Sequence, residues 1–319
     1  MQEHLAGLAL RGKHATASYR LTALRDLIRW MQGEGLDDPL RLTPDQLIAH
    51  QAFLATKYRT ARGQELKRTS QALRLRSIGA YYRWLELRGD IVSDPSRNLH
   101  VRVVRARTVT RDHLSLQEAS ALIQAQAALV TSLTAGSFRH AVAMRNLAML
   151  CLGLATGRRR SGIMSLRTEH LDLDRQELRV EREKGRTGRL LPVVRWACDV
   201  TRLYLIQARP VLVARINTPW LFPGRPASEP IGKDAIAAAF SDMLKRTVAQ
   251  NPDLDELPSK MLTWHSLRVS FALLLFNNGC SIRSVNELLL HRLLSTTALY
   301  TPQTSDDLRQ VLRTAHPRA

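Results

Sequence analysis

The sequence predicts a mainly α-helical protein with a small antiparallel β-sheet in its second half. Apolar residues recur at intervals of three and four over most of the chain, for example at Leu21, Leu24 and Leu27, as expected for helices with one buried face. The period falls to two only between about 171 and 194, where short strands are expected. A basic stretch without acidic residues, 95–110, separates two helical parts. Its composition indicates a linker between two domains.

The first helical part is expected to span residues 16–94, after a basic leader at 1–15. A helix starts near Thr16, and Thr43-Pro44-Asp45-Gln46 combines a threonine N-cap with proline at the first helical position. A further helix is expected from about Gln64 to Arg88. Its apolar stripe is Leu75, Ile78, Tyr82 and Leu85.

Basic residues crowd the rest of that helix and the linker. Like charges on one helix repel unless a polyanion neutralises them, so the group favours a DNA-facing surface over a merely solvated one. The linker, taken as 95–112, either follows a DNA backbone or only connects the domains. The candidate DNA-binding residues are Lys67, Arg68, Arg74, Arg76, Arg102, Arg105 and Arg107.

The second domain is expected to span 113–319. It opens on a capping box, Ser115 with Glu118, and continues with an apolar helix from about 139 to 155 that Thr156-Gly157 ends. Strands are expected around 171–173, 178–180 and 190–194, and helices resume near 195 and over 233–247. A short final helix is expected over 305–314, with Leu308, Val311 and Leu312 on its apolar side.

The charge and composition of the chain favour some classes of function over others. The 319 residues carry a formal net charge of +19, which favours a polyanionic partner such as nucleic acid. We expect no membrane association, because no apolar run reaches 18 residues and no signal peptide is recognisable. The three cysteines lie far apart in apolar contexts, which indicates reduced core thiols and not a zinc site. An intracellular, cytoplasmic, nucleic-acid-binding protein is expected.

Groups suited to phosphodiester chemistry gather in residues 263–300. His265 and Arg268 lie three residues apart, His291 follows an apolar helix, and Tyr300 comes nine residues later. Arginine can neutralise the charge on the non-bridging oxygens, histidine can donate hydrogen bonds, and tyrosine can act as a nucleophile. Arg159 is the second arginine expected to bind the phosphate beside Arg268, and Lys184 is expected to donate a proton to the leaving oxygen. No patterned carboxylate pair accompanies them, so we expect no metal.

Together these motifs resemble those of tyrosine recombinases of the phage integrase family (Xer-like). The segment ATGRRRSG at 155–162 is similar to the family's pattern of Thr-Gly, an apolar residue, the catalytic arginine, any residue, then Ser-Glu. In that register the catalytic arginine is Arg159. Lys184-Gly185 resembles the family's β-turn lysine, and His265-Ser266-Leu267-Arg268 its His-x-x-Arg box. Leu288 to His291 resembles its Leu-Leu-Gly-His box, and Ser295 to Tyr300 its nucleophile segment.

The resemblance implies a fold, a reaction and partners. The fold is an N-terminal helical core-binding (SAM-like) domain followed by a catalytic domain. The reaction is site-specific recombination through a 3′-phosphotyrosine intermediate and a Holliday junction, in the service of a mobile element or a chromosome. The catalytic residues are Arg159, Lys184, His265, Arg268, His291 and Tyr300. The partners are double-stranded DNA with inverted core-type sites and a homotetramer assembled through the C-terminal helix, on the prokaryotic nucleoid.

Three positions depart from the family pattern. The usual acid three residues after the first arginine is Gly162, the usual glycine before the third-box histidine is Leu290, and Val269 follows Arg268. Two other functions therefore stay open. One is a DNA-binding relative with attenuated or lost catalysis, and the other is a type IB topoisomerase-like enzyme that rejoins the original strand. Arg186 or Arg189 could share the role of Lys184.

Overall fold

The computed structural model describes residues 14–60, 63–99, 112–182, 186–290, 309, 312–314 and 316. Contacts between Cα atoms divide the chain into two units, Met1–Val109 and Thr110–Ala319. Each unit has its own hydrophobic core. Among the described helices, none has the length and apolar character needed to cross a membrane.

The first unit is a small helical bundle of α1 (His14–Gly33), α2 (Pro44–Thr56) and α3 (Arg68–Arg88). The predicted capping box starts α2, since the Thr43 side chain accepts from the Gln46 amide and Gln46 Oε1 accepts from the Thr43 amide. The predicted stripe of α3 is buried, and the hydroxyl of Tyr82 donates to the Pro39 carbonyl at 2.8 Å. These contacts close the helices around one core.

Helix α3 begins four residues later than the apolar spacing indicates. Residues Arg59 and Glu65 instead form an antiparallel bridge and an ion pair at 3.1 Å. Gly63, with φ +72°, turns the chain between them. This tight turn draws residues 63–67 away from the helix, which starts at Arg68 with Lys67 as its N-cap.

The second unit is organised around α5 (Phe138–Thr156), which is buried from Leu147 to its last residue. Helix α4 (Leu116–Ser132) packs beside it, and the short α6 (Arg160–Met164) follows it. The chain then forms a 3-10 turn (Thr168–His170) and the sheet. Helix α7 (Arg195–Leu203) leads through a π turn (Tyr204–Ala208) into α8 (Arg209–Val213). Pro210 has no amide hydrogen, which explains why the regular helical ladder gives way here.

The sheet is antiparallel with strand order β1-β2-β3, for β1 (Leu171–Asp172), β2 (Glu177–Arg182) and β3 (Arg186–Pro192). Leu178 pairs with Leu171 on one side and with Leu191 on the other. All three leucines lie in the core, so the alternating pattern places one face of the sheet against the helices. The predicted mainly helical fold with a small antiparallel sheet is confirmed.

The remaining helices are α9 (Lys233–Gln250), α10 (Trp264–Asn277) and α11 (Ile282–Leu288). Polar contacts fix the start of α10 to the start of the unit. Lys260 donates to the Glu118 carboxylate at 2.8 Å, Asp112 accepts from the Met261 amide at 2.7 Å, and Ser270 Oγ accepts from the Leu114 amide at 2.8 Å. Glu118 also completes the predicted capping box with Ser115. The helix that carries His265 and Arg268 is therefore held at its N-terminal end.

Candidate active site

A sharp turn after α5 positions the arginines of residues 158–160. Gly157 ends the helix with φ +57°, and its amide donates to the Gly153 carbonyl at 3.0 Å. A Cβ atom here would lie 2.6 Å from Phe271 Cδ1 and 2.7 Å from Leu289 Cδ2. Only glycine satisfies both the backbone angle and this close approach. Arg159, the next residue but one, is exposed and caps α6.

Arg268 ties two turns of the site together. Its side chain is buried, with Nη1 donating to the Gly157 carbonyl at 2.8 Å and Nη2 to the Leu289 carbonyl at 2.7 Å. Among the described residues no carboxylate pairs with it. Burial lowers the pKa of Arg268 to about 10, and the charges of Arg159 and Arg158 add to this effect. A guanidinium held by carbonyls keeps an uncompensated positive charge, which suits it to attract a phosphate.

His265 lies near the N-terminus of α10, one turn before Arg268. The capping box of this helix joins Thr263 and Ser266, whose Oγ accepts from the Thr263 amide at 3.1 Å. Trp264 is buried against α5, where a Cβ at Gly153 would come within 3.0 Å of its ring. His265 is exposed on the other side of the turn. The three-residue spacing of the His-x-x-Arg box thus places the Arg268 side chain inside the protein and the His265 side chain at the surface.

Arg268 and Arg159 are far apart in the sequence, but Arg268 donates to the carbonyl of Gly157, two residues before Arg159. Burial lowers the pKa of Arg158 too, with a further contribution from Arg159. Arg158, Arg159 and Arg268 therefore form one cationic cluster at the turn after α5. The other predicted catalytic residues, Lys184, His291 and Tyr300, lie outside the described residues. The last described residue before His291 is Leu290, which has φ +52° where the family pattern has glycine.

In the first unit the predicted DNA-binding residues separate into two groups. Lys67, Arg68 and Arg76 are exposed and make no ion pair with a described residue. Arg74 is different, because its side chain is 11% exposed and pairs with Asp26, itself buried. Arg74 also stacks on Tyr58, with 4.8 Å between its Cζ atom and the ring centroid. Arg74 thus already has a carboxylate partner inside the bundle, and its contact with DNA stays a prediction. Arg102, Arg105 and Arg107 lie outside the described residues.

Sequence reasoning missed the partners of the site arginines. The carbonyls of Gly157 and Leu289 orient Arg268, but every residue carries a carbonyl, so no sequence signal marks these two. The position of Arg158 against Gly162 was missed as well. The available signals were the arginine at an apolar position and the glycine at an acidic position of the family pattern.

Comparisons with known proteins identify the family of the chain. The profile of the phage integrase family matches residues 113–306. Tyrosine recombinase XerD of Halalkalibacterium halodurans is 32% identical over 298 residues, covering 92% of this chain and 90% of that protein. Tyrosine recombinase XerC of Mycobacterium leprae is 30% identical over 317 residues, covering 99% of this chain and 97% of that protein.

Solved structures share the fold at lower identity. The XerH site-specific recombinase, in a pre-cleavage complex with its difH substrate, has a TM-score of 0.63 at 14% identity, covering 92% of this chain and 80% of that chain. A lambda integrase dimer bound to a COC′ core site has a TM-score of 0.57 at 16% identity, covering 95% of this chain and 97% of that chain. The chain belongs to the phage integrase family and is a tyrosine recombinase, an enzyme that transfers DNA strands.

Proposed function

We propose that this recombinase cuts and rejoins duplex DNA at a specific site, with Tyr300 as its nucleophile. The Tyr300 oxygen attacks the scissile phosphorus as its hydroxyl proton passes to solvent, the bond to the 5′ oxygen breaks, and Lys184 protonates that oxygen as it leaves. A 3′-phosphotyrosine and a free 5′-hydroxyl result. The 5′-hydroxyl of a partner strand then attacks the phosphotyrosine, the bond between phosphorus and the Tyr300 oxygen breaks, and the proton lost by the attacking hydroxyl balances the one that the tyrosine regains. The phosphodiester and the free tyrosine are thereby restored. Because the bond energy is kept, neither a nucleotide nor a metal is required.

The arrangement of Arg268 carries this proposal. Two backbone carbonyls accept hydrogen bonds from the buried guanidinium, and no described carboxylate pairs with it. Binding of an anion would therefore compensate its charge. Arg159 adds a second, exposed guanidinium beside it. In the proposed complex both stabilise the charge that develops on the non-bridging oxygens, and His265 and His291 donate further hydrogen bonds.

We propose that the basic residues of the first unit and the linker bind the DNA on either side of the scissile phosphate. Lys67, Arg68 and Arg76 are exposed and form no ion pair with a described residue, so their charges are available to phosphates without breaking such contacts. Arg102, Arg105 and Arg107 of the linker would extend this contact.

We further propose a homotetramer on inverted core-type sites, exchanging strands through a Holliday junction and assembled through the C-terminal segment. One solved neighbour is a lambda integrase tetramer bound to a Holliday junction. In the present chain Leu312 is buried in its own unit, and Arg309 pairs with Glu177 at 2.6 Å. Passing this segment to a neighbouring protomer would exchange these internal contacts for equivalent ones between protomers. A cytoplasmic, nucleoid-associated location also remains a prediction.

Covalent trapping tests the proposed function. The protein is mixed with nicked duplexes that carry the DNA flanking its own gene, and the products are separated on a denaturing gel. We expect a shifted protein–DNA band that Tyr300→Phe abolishes and that Tyr19→Phe, a control tyrosine in α1, leaves intact. A band that persists in Tyr300→Phe would overturn the assignment of the nucleophile.

The same experiment separates the other two functions. Clean binding of the DNA without any covalent band would indicate a recombinase relative that only binds. Relaxation of a supercoiled plasmid that lacks the site would indicate topoisomerase-like strand rejoining. The family membership of the chain favours neither.

A further inference from the structure

The guanidinium of Arg158 lies directly against Gly162. A Cβ atom at residue 162 would lie 2.9 Å from Arg158 Nη2, 3.2 Å from Nε and 3.3 Å from Cζ. These distances are shorter than ordinary van der Waals contacts, so any side chain at residue 162 would meet the guanidinium first. Because these atoms are the end of a flexible side chain, a side chain at residue 162 would displace the guanidinium from its present place.

Arg158, at the apolar position of the family pattern, is a further departure from it and lies against Gly162. Position 158 is apolar in the pattern and position 162 is acidic, whereas this chain has arginine and glycine. The two residues are four positions apart in the chain. The guanidinium of Arg158 therefore lies where the carboxylate of an acidic residue 162 would begin. Arg158 Nε is buried and has no hydrogen-bond partner among the described residues. A carboxylate at residue 162 would be its nearest acceptor, and the chain does not supply one.

Arginine at residue 158 and glycine at residue 162 make the site more positive than the family pattern does. Arg268 donates to the Gly157 carbonyl at 2.8 Å, and Arg158 and Arg159 are the next two residues of the chain. None of these three arginines forms an ion pair with a described carboxylate. Their mutual repulsion in a partly buried place disfavours the empty site and is relieved when an anion binds. A charge several ångströms away still acts strongly here, because low-dielectric surroundings screen it less than water does.

We infer that Arg158 is a positioning residue of the phosphate site, whose charge strengthens the hold of Arg159 and Arg268 on the scissile phosphate and which Gly162 accommodates. This rests on the proposed function. It also reverses the simple expectation that restoring the acid improves the enzyme. In the native background, a glutamate at residue 162 would displace or neutralise the guanidinium of Arg158.

A double-mutant cycle tests the inference. The unaltered chain, Arg158→Leu, Gly162→Glu and the double variant are compared by the rate of covalent adduct formation on a nicked duplex. We expect each single variant to cleave about tenfold more slowly, a size expected for one nearby charge. The double variant, which recovers the family pattern at both positions, should cleave faster than either single variant. Purely additive losses would overturn the coupling.

Two controls distinguish charge from folding. Arg160→Leu removes an exposed arginine of the same run and should change the rate less than twofold. Arg158→Lys keeps the charge and should retain more activity than Arg158→Leu. On a duplex with an uncharged methylphosphonate at the scissile position, the loss in Arg158→Leu should shrink to less than threefold. An equal loss on both substrates, or an equal loss in Arg160→Leu, would show that Arg158 acts only on the fold.

An anion-binding measurement keeps this inference separate from the covalent chemistry. Replacing sodium chloride by sodium sulfate at constant ionic strength should raise the Tm of the unaltered chain by more than that of Arg158→Leu. Identical shifts in the two proteins would refute the role of Arg158 in anion binding. Absence of any adduct from the unaltered chain would instead refute the proposed function, whatever the sulfate result.

Discussion

Gly157 is the position at which one added methyl group should do the most damage to the site. In Gly157→Ala the backbone keeps φ +57°, which costs an L-residue about 1 kcal/mol. The new Cβ would also lie 2.6 Å from Phe271 and 2.7 Å from Leu289, both buried, so neither can move into solvent. Overpacking of this kind costs about 1–3 kcal/mol. We expect the catalytic unit to lose about 2–4 kcal/mol of its free energy of unfolding.

Gly136→Ala provides the matched control. Gly136 lies in the same unit with φ +76°, but a Cβ there meets nothing within 4 Å. It should therefore show the backbone cost alone, about 1 kcal/mol. Urea unfolding combined with hydrogen exchange of peptides from α5 and α10 reports the catalytic unit separately from the helical bundle.

The difference between the two variants is the decisive quantity. A loss in Gly157→Ala no larger than that in Gly136→Ala would show that Phe271 and Leu289 move aside without cost, and the close-approach argument would fail. If the argument holds, Gly157→Ala should also lose DNA cleavage, because the carbonyl that orients Arg268 belongs to the displaced turn.

The first unit gives two further predictions. Arg76→Ala should leave stability within about 0.5 kcal/mol and reduce the magnitude of the salt slope of DNA binding by about 0.9. Arg74→Ala should cost about 2 kcal/mol, because the buried Asp26 would lose its most buried cation and keep only the exposed Arg29 and the Tyr58 hydroxyl as partners. An unchanged salt slope in Arg76→Ala would place that residue outside the DNA contact. Burial lowers the pKa of His50 from 6.5 to about 4, so its neutral form is favoured in the folded state. The stability it contributes is fully present above pH 6.5 and is lost as the pH falls toward 4, by up to about 3 kcal/mol. His50→Met should flatten this part of the pH–stability curve measured by urea unfolding, and an unchanged slope would assign it to other groups.

The local structure was predictable because its causes are local. Thr43 and Ser115 start helices through hydrogen bonds to residues three positions on, and both are present as expected. Alternation of apolar residues likewise located the strands around Leu178 and Leu191. In these cases the residues that interact are neighbours in the chain, so their spacing carries the information.

The same spacing could not separate Arg74 from Arg76. The two residues lie on one helix, but a rotation of about 200° separates them. Arg74 turns toward Asp26, which is 48 residues away and buried in α1, while Arg76 turns to solvent. Helical periodicity predicts which positions share a face, but the packing of α1 against α3 decides which charge finds a partner.

By itself the sequence determined the helical architecture with its small sheet, the cationic character, and the ordered motifs that indicate a tyrosine recombinase, because residue type and spacing carry these features. Only the tertiary structure decided how the arginines act. Arg268 finds its carbonyl partners 111 and 21 residues away, and Arg158 lies against Gly162 in the turn that follows α5. Charges interact through space and become strong only where folding excludes water, so their roles depend on contacts that the sequence alone does not display.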